Sequence, residues 1–317
     1  MSEAGGRLPA VPVIEARELT KKFGDFTAVD AISFEVAPGE SFGLLGPNGA
    51  GKSTTMRMIG GTSLRTAGEL RVLGLDPEQH GPEVRASLGV VPQQDALDEE
   101  LRTRDNLYVY GRYFGLPRSY LVPKVEELLE FAQLTEKANA KVNDLSGGMK
   151  RRLTIARGLI NEPRILLLDE PTTGLDPQAR HILWDRLFRL KEQGVTLVVT
   201  THFMDEAEQL CDRLVVIDKG SIVAEGSPRD LITRYTTREV VEVRFGSTRN
   251  AAMQAELADL ASGGLEVLPD RILLYADNGE AILEEINRRE LNPLTQLVRR
   301  TSLEDVFLRL TGRSLID

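Results

Sequence analysis

The sequence predicts an α/β protein with a parallel sheet covered by helices on both faces, followed by a small α+β domain. From about Leu145 onward, helix-like and strand-like segments alternate, which predicts parallel strands joined by helical crossovers. The short apolar runs 165–168 and 197–199 have the length of buried strands. Near residue 236 the pattern changes to the order βαββαβ, which predicts a split-βαβ domain.

Domain limits follow from these changes of pattern. Residues 1–12 are small, polar and Pro-containing, and predict a flexible arm. Residues 13–235 form the larger domain, with a helical subdomain at about residues 95–160. Residues 236–317 form the accessory domain, and the boundary is expected within 229–238.

Individual elements follow from periodicity and turn residues. In the larger domain, strands are predicted at 33–36, 41–45, 164–169 and 196–200, a hairpin at 213–226, and helices at 51–60, 149–160, 180–193 and 205–210. In the accessory domain, strands are predicted at 239–245, 265–268, 272–276 and 295–299, and helices at 250–262 and 279–288. A last helix is expected to begin at Ser302, with Asp305 completing a capping box.

Composition restricts the function classes. The net charge of −9 argues against a nucleic-acid partner, because such proteins usually carry a basic face. The single cysteine, Cys211, excludes an intrachain disulfide and fits a reducing cytoplasm. No segment approaches the roughly 20 apolar residues that cross a bilayer. A membrane function would therefore require another subunit.

A phosphate-binding loop is predicted between a strand and a helix. Its residues match the pattern G-x-x-x-x-G-K-[ST] and are Gly46, Pro47, Asn48, Gly49, Ala50, Gly51, Lys52, Ser53 and Thr54. Glycines let backbone N–H groups approach phosphate oxygens, and the helix N-terminus favours an anion. Lys52 can reach the β- and γ-phosphates of ATP, and Ser53 can bind Mg²⁺. An ordinary Gly-rich turn is the alternative.

Candidate catalytic groups lie at the ends of two predicted strands. Asp169 ends an apolar strand and is placed to hold Mg²⁺, directly or through water. Glu170 follows it and is a candidate general base for the attacking water. His202 ends the next strand and is a candidate contact to the γ-phosphate. The alternatives are a surface acidic pair and a polar strand cap.

A second anion-binding helix start is predicted at Ser146, Gly147 and Gly148. Ser146 is a good N-cap, and the glycines permit close approach to an anion. This site lacks a lysine. The two helix starts can meet around one nucleotide only if the chain folds back or a second chain supplies one of them.

Six segments in one order resemble the motifs of the ABC ATPase family. The phosphate-binding loop resembles its Walker A motif, residues 145–149 its signature motif and residues 165–170 its Walker B motif. Residues 174–176 resemble its D-loop, Gln93 its Q-loop and His202 its H-loop. The resemblance implies a P-loop NTPase fold with a mixed sheet and a helical subdomain. It also implies a homodimer that holds two ATP molecules head to tail.

The resemblance also implies site roles. Ser146, Gly147 and Gly148 of one chain would face the γ-phosphate held by the other, and Asp176 would act across the dimer. Gln93 would contact Mg²⁺ and carry movement to a membrane subunit.

The resemblance implies an adenine contact as well. Phe23 matches the position of the aromatic residue that stacks on adenine, with Phe26 as a neighbour that could be confused with it and core packing as the alternative.

The subfamily is indicated by residues 145–153, 200–208, 211–214 and 301–307, which resemble the drug-resistance and nodulation exporter branch. That branch implies an efflux ATPase on the cytoplasmic face of the cell membrane, working with a separate permease. Its cargo is a drug, a polyketide or a lipo-oligosaccharide. A soluble ABC ATPase of DNA repair or ribosomes and a P-loop metabolite kinase are the competing classes.

Several other residues are interpreted as structural. Trp184, Cys211, His80 and His181 belong to no metal-ligand cluster or catalytic pattern. Arg151 and Arg152 are interpreted as part of a solvated helix face.

Overall fold

The computed structural model describes residues 11–246 and 249–312. Most of the predicted arm, residues 1–10, lies outside the described residues. The chain divides into two compact units between Glu225 and Gly226, about ten residues before the predicted boundary. The difference arises because the segment that was expected to link the domains is a helix, α8 (Pro228–Tyr235), which packs against the last helix of the second unit.

The first unit contains nine strands and seven α-helices within the described residues. The strands are β1 Ile14–Phe23, β2 Phe26–Val36, β3 Ser41–Leu45, β4 Ala67–Val72, β5 Leu88–Val91, β6 Ile165–Asp169, β7 Thr196–Thr201, β8 Arg213–Asp218 and β9 Ser221–Gly226. The helices are α1 Lys52–Ile59, α2 Gly81–Ala86, α3 Thr103–Tyr113, α4 Arg118–Phe131, α5 Gly147–Gly158, α6 Pro177–Glu192 and α7 Met204–Leu210. None of the helices in the described part of the chain is long and apolar enough to cross a membrane.

The central sheet confirms the predicted α/β class. Its strand order is β5-β6-β7-β3-β8-β9, and the first five of these strands pair in parallel. The residues of β3 and β7 are all buried, as expected for strands covered on both faces. The carboxyl ends of β3, β6 and β7 therefore lie together at one edge, which is where such sheets bind ligands.

A second, antiparallel sheet was not predicted as a unit. Its order is β2-β1-β4, and the rings of Phe34 on β2 and Phe42 on β3 stack with centroids 5.4 Å apart. The pairing of β1 with β4 joins residues such as Ile14 and Val72, which are far apart in sequence. Local periodicity carries no information on such a pairing.

The second unit has the predicted split-βαβ topology. After α8, its elements are β10 Glu239–Arg244, α9 Asn250–Leu257, β11 Leu265–Val267, β12 Ile272–Ala276, α10 Gly279–Arg288, β13 Thr295–Arg300 and α11 Leu303–Thr311. The antiparallel order β11-β12-β10-β13 brings the first strand of the unit between the third and the fourth. Helices α9 and α10 pack on one apolar face of this sheet, whereas Leu308 of α11 packs on the other.

The predicted capping box of the last helix is present. Ser302 caps α11, and the buried carboxylate of Asp305 accepts a hydrogen bond from the Ser302 N–H at 2.8 Å. Asp305 also accepts two bonds from the guanidinium of Arg299, at 2.7 and 2.9 Å, and one from the Tyr275 hydroxyl at 3.3 Å. One carboxylate therefore joins the start of α11 to β12 and β13.

We expect Asp305→Ala to destabilise the second unit by about 3 kcal/mol, because it leaves Arg299 without its close partner and removes the helix cap. Chemical denaturation, followed by a probe in the second unit, measures the change. Glu304→Ala is the matched control: Glu304 is the exposed neighbour, and we expect a change within about 0.5 kcal/mol. Equal effects of the two substitutions would contradict this assignment.

Candidate active site

The predicted phosphate-binding loop joins β3 to α1 and is pressed against two strands. Gly51 has a φ of +105°, and a Cβ there would lie 2.4 Å from the carbonyl oxygen of Ala28 on β2. A Cβ at Gly46 would lie 2.2 Å from the carbonyl oxygen of Ile217 on β8. Side chains are therefore excluded at both ends of the loop, because its backbone packs directly on one strand of each sheet.

The loop forms the floor of a cleft of about 430 Å³, a size within the range of small-molecule sites. The residues that line the cleft come from β1, β2, the loop, α1 and the ends of β5 and β6. They are Phe23, Phe26, Ala28, Asn48, Gly49, Ala50, Gly51, Lys52, Ser53, Thr54, Gln93 and Glu170. The fold thus brings most of the predicted phosphate-binding residues to one place.

Lys52 is buried at the base of this cleft. Its ammonium donates to the carbonyl oxygens of Gly46 and Pro47, at 2.7 and 3.0 Å, and lies 3.7 Å from Oε1 of Glu170. Burial lowers the pKa of Lys52, while the negative charges of Glu170 and Asp169 oppose this shift. A buried ammonium opposite carboxylates is suited to pair with an anion that enters the cleft.

Oxygen atoms meet beside the loop where magnesium was predicted. Ser53 Oγ donates to Oδ1 of Asp169 at 3.0 Å, and Thr200 Oγ1 on β7 donates to the same oxygen at 2.5 Å. Hydroxyl and carboxylate oxygens are the ligands that Mg²⁺ prefers. These donors fit the ion, which would supply positive charge for the phosphate oxygens.

Glu170 is held in an unusual backbone conformation at the end of β6. Its φ is +46°, and its N–H donates to Thr200 through both the carbonyl oxygen and Oγ1, at 3.1 and 3.0 Å. The buried carboxylate accepts from Gln93 Nε2 at 2.9 Å and from Thr173 Oγ1 at 3.2 Å, and His202 Nδ1 lies 3.2 Å from it. The structure therefore brings together three of the predicted site residues, Gln93, Glu170 and His202.

Two aromatic residues flank the outer part of the cleft. Phe23 and Phe26 face each other across the β1–β2 turn and are 53% and 63% exposed. Lys21 Nζ lies 4.8 Å from the centroid of the Phe23 ring. Core packing is therefore wrong as an interpretation of Phe23, and both rings remain available to stack on a base.

The second anion-binding helix start lies elsewhere in the chain. The residues predicted to act across the dimer are not among those that line the cleft: Ser146, Gly147, Gly148 and Asp176. Ser146 caps α5 and Asp176 caps α6. A Cβ on Gly148 would lie 3.5 Å from the Cβ of Ala179, so the starts of α5 and α6 are neighbours. The predicted second helix start therefore does not line the cleft of its own chain.

Arg151 corrects the interpretation of a solvated face. Its side chain is only 3% exposed and donates hydrogen bonds to the backbone carbonyl oxygens of Asp169 and Glu170. Arg152, which donates to Gln133, is partly buried. Both arginines occur in a charged stretch of an amphipathic helix, and the sequence contains no signal that separates them.

Glu206 is a second buried charge that sequence analysis missed. It lies on α7 with no exposed surface, facing the hydroxyls of Thr172 and Thr201 and the indole N–H of Trp184. Neither carboxylate oxygen has a well-formed hydrogen bond within the described ranges. Burial raises the pKa of Glu206 from 4.5 to about 7. An acidic residue in the first turn of a helix is usually solvated, so the pattern did not indicate burial.

Family comparisons agree with this fold and site. The family model described as "ABC transporter" matches residues 29–173, and the model of the C-terminal domain of the nodulation factor export protein NodI matches residues 250–312. Solved ATP-binding cassettes are also similar. An ATP-binding subunit of an ABC transporter has a TM-score of 0.65 and 28% identity, covering 70% of this chain and 93% of its own.

A dimeric cassette in a post-hydrolysis state with ADP and Pi has a TM-score of 0.61 and 30% identity, covering 68% of this chain and 98% of its own. Fold and site therefore define an ATPase of the ABC transporter class, and the kinase alternative is wrong.

Relatives that match nearly the whole chain define the branch. A Nod factor export ATP-binding protein I from Paraburkholderia xenovorans is 48% identical over 96% of this chain and 98% of its own length. The protein of the same description from Rhizobium etli is 47% identical, with coverages of 95% and 94%. The chain belongs to the family of Nod factor export ATP-binding proteins, within the ABC transporter ATPases.

The raised pKa of Glu206 predicts a pH dependence of stability. Between about pH 4.5 and 7 the folded state keeps a proton that the unfolded chain releases, so the free energy of unfolding falls as the pH rises. We expect Glu206→Gln, which is neutral throughout, to remove this fall. At pH 8 the free energy of unfolding of the variant should exceed that of the wild type by up to about 3 kcal/mol.

Denaturant unfolding of the first unit at pH 5 and pH 8 measures this effect. Glu192→Gln, on the exposed surface of α6, is the matched control and should leave the pH dependence unchanged. If the free energy of unfolding changed equally between pH 5 and pH 8 in the wild type and in Glu206→Gln, the raised pKa of Glu206 would be contradicted.

Proposed function

We propose that this chain is the ATP-hydrolysing subunit of an exporter, working as a homodimer bound to a separate membrane permease on the cytoplasmic face of the cell membrane. The observation that carries this proposal is that Lys52 and Glu170 lie in one cleft, with Asp169 hydrogen-bonded to Ser53 of its lining, while the signature residues do not line it. Such a chain binds one nucleotide in its own cleft, and its signature residues can cover the nucleotide bound by a second chain.

Each residue near the cleft has a chemical role in this proposal. The backbone of residues 46–51 and Lys52 bind the phosphates of ATP, and Ser53 and Asp169 hold Mg²⁺, which neutralises phosphate charge. Glu170 accepts a proton from the attacking water, and His202 orients that water and the γ-phosphate. The geometry favours these assignments because Glu170 lies between Lys52 and His202.

A second copy completes the site. Ser146, Gly147 and Gly148 of the partner chain cover the γ-phosphate with the N-terminus of α5, and Asp176 contacts the dimer interface. Closure excludes water and strengthens each electrostatic contact. Hydrolysis then produces two anions that repel each other, so that the dimer opens.

Movement reaches the permease through Gln93 and the helical segment that follows. Next to this segment lies a cavity of about 420 Å³ that is lined by Val90, Asn106, Tyr110 and Tyr113, among others. Tyr113 is 81% exposed at its rim. Exposed aromatic residues beside an apolar cavity are typical of protein contacts, so we assign this groove to the permease.

The cargo proposed for the exporter is a lipo-oligosaccharide. This proposal rests on the Nod factor export proteins, which are 46–48% identical and match the chain in both of its units. Drugs and polyketides, the other cargo classes of the exporter branch, are the alternatives. Cargo contacts belong to the permease in this proposal, so the ATPase chain supplies energy rather than selectivity.

We expect Glu170→Gln to reduce ATP hydrolysis about 100-fold or more and to trap an ATP-bound dimer, because the base is lost while nucleotide binding is preserved. Size-exclusion chromatography with multi-angle light scattering measures the dimer, and phosphate release measures the rate. Lys52→Ala is the contrasting variant: it should weaken ATP binding about 10- to 100-fold and give no trapped dimer. A strictly monomeric Glu170→Gln protein with saturating ATP, even beside its permease, would exclude the shared-site proposal.

We expect Tyr113→Ala to weaken binding to the permease in detergent or nanodiscs while leaving the ATPase rate of the isolated chain within about twofold. The reason is that Tyr113 contributes apolar area at the groove without lining the nucleotide cleft. Phe188→Ala, a similar loss at an exposed ring on α6, is the control.

ATP-dependent uptake of a lipo-oligosaccharide into inverted vesicles tests the proposed cargo. Uptake of a drug instead would reject the proposed cargo.

A further inference from the structure

Arg151 lies one helical turn after the signature glycines, on the buried side of α5. Its guanidinium is almost fully enclosed, and burial lowers its pKa, with Asp95 as the nearest opposing charge. A buried guanidinium is costly unless its N–H groups are well bonded. The hydrogen bonds of Arg151 form two sets, which reach two different segments of the chain.

The first set of hydrogen bonds fixes the chain at the end of β6. Nη2 donates to the carbonyl oxygens of Asp169 and Glu170, each at 3.1 Å, and Nε donates to that of Pro171 at 2.7 Å. The backbone leaves the sheet here, with Glu170 in the left-handed region. A non-glycine residue holds such a conformation only when its surroundings stabilise it. Arg151 satisfies three consecutive carbonyls around that turn.

The second set reaches the segment that contains Gln93. Nη1 donates to the carbonyl oxygen of Pro92 at 2.5 Å and lies 3.3 Å from Oδ1 of Asp95. Asp95 is in turn fixed by the hydroxyl of Thr154, one turn further along α5, at 2.9 Å. The same guanidinium therefore connects α5 with both segments that carry groups bonded to each other in the cleft, Gln93 and Glu170.

We propose that Arg151 is a positioning residue that holds Glu170 and Gln93 in place and couples them to the signature helix of the same chain. The inference rests on the proposed function, because only in the dimer does the start of α5 contact the nucleotide of the partner. Binding of that nucleotide at Ser146–Gly148 then restrains α5, and Arg151 passes the restraint to the base that serves the chain's own nucleotide. The two ATP sites of the dimer are thereby coupled.

The fork shape of the guanidinium is essential to this role. A lysine retains the positive charge but has a single nitrogen, which cannot reach the carbonyls of Pro92 and Pro171 together in the geometry that the planar fork provides. Small displacements of a catalytic group reduce turnover far more than they reduce substrate binding.

The test compares Arg151→Lys with Arg152→Lys, its neighbour on the outer side of the contact network, in the full-length chain. We expect Arg151→Lys to reduce kcat for ATP hydrolysis at least about tenfold with KM for ATP within about threefold, and Arg152→Lys to change neither. Thermal unfolding of each variant accompanies the kinetics. A kcat for Arg151→Lys within twofold of the wild type overturns the proposal, as does a rise in KM that matches the fall in kcat.

Mixed dimers identify the chain on which Arg151 acts. In one dimer Arg151→Met and Glu170→Gln are on the same chain beside a wild-type partner, and in the other they are on opposite chains. Activity is compared with a dimer of one Glu170→Gln chain and one wild-type chain. We expect the same-chain dimer to match this reference and the opposite-chain dimer to fall well below it. The reverse order would assign Arg151 to the partner's site, and equal losses would also overturn the proposal.

ATP-dependent dimerisation separates this inference from the proposed function. With Glu170→Gln as the background, adding Arg151→Lys should leave the trapped dimer intact, because the phosphate-binding loop and the signature glycines are unchanged. Failure of Glu170→Gln itself to dimerise refutes the shared site. A stable dimer combined with normal turnover in Arg151→Lys refutes the role of Arg151 and leaves the proposed function unaffected.

Discussion

The parallel pairing of β7 between β3 and β6 is the constraint on which the active site depends. It brings the end of β3, where the phosphate-binding loop begins, to the same edge as Asp169. Thr200 on β7 then fixes this edge, since its hydroxyl bonds both the Asp169 carboxylate and the N–H of Glu170. A shift of one residue in this register would reverse the side chains of β7 and remove Thr200 from the site.

The buried charges at this edge of the sheet lie close to opposite charges and are hydrogen-bonded to neutral groups. Lys52 and Glu170 are both enclosed by the fold, 3.7 Å apart, and each is also hydrogen-bonded to neutral groups. Pairs of this kind are poor sources of stability because desolvation offsets their attraction. They are suited to function, since an arriving phosphate and its cation can replace these contacts without leaving a charge unpaired.

Arg151 and Glu206 extend this polar region behind the cleft. Arg151 bonds the backbone of the turn that carries Glu170, and Glu206 faces the hydroxyl of Thr201, the residue before His202. The negative charge of Glu206 also acts on Arg151. The reacting groups of the proposed mechanism therefore sit on a buried polar layer, whose protonation and hydrogen bonding determine how rigidly they are held.

The sequence alone determined the class of fold, the phosphate-binding loop and the carboxylates at the end of β6. These features depend on local patterns, namely a loop of fixed spacing and short apolar strands ending in charge. The split-βαβ order of the second unit and the cap at Ser302 were local in the same sense. Tertiary structure decided the antiparallel sheet, the domain boundary before α8, and the burial of Arg151 and Glu206. Those features depend on which distant segments meet, and a charged residue in a helix has the same local pattern whether it faces water or the core.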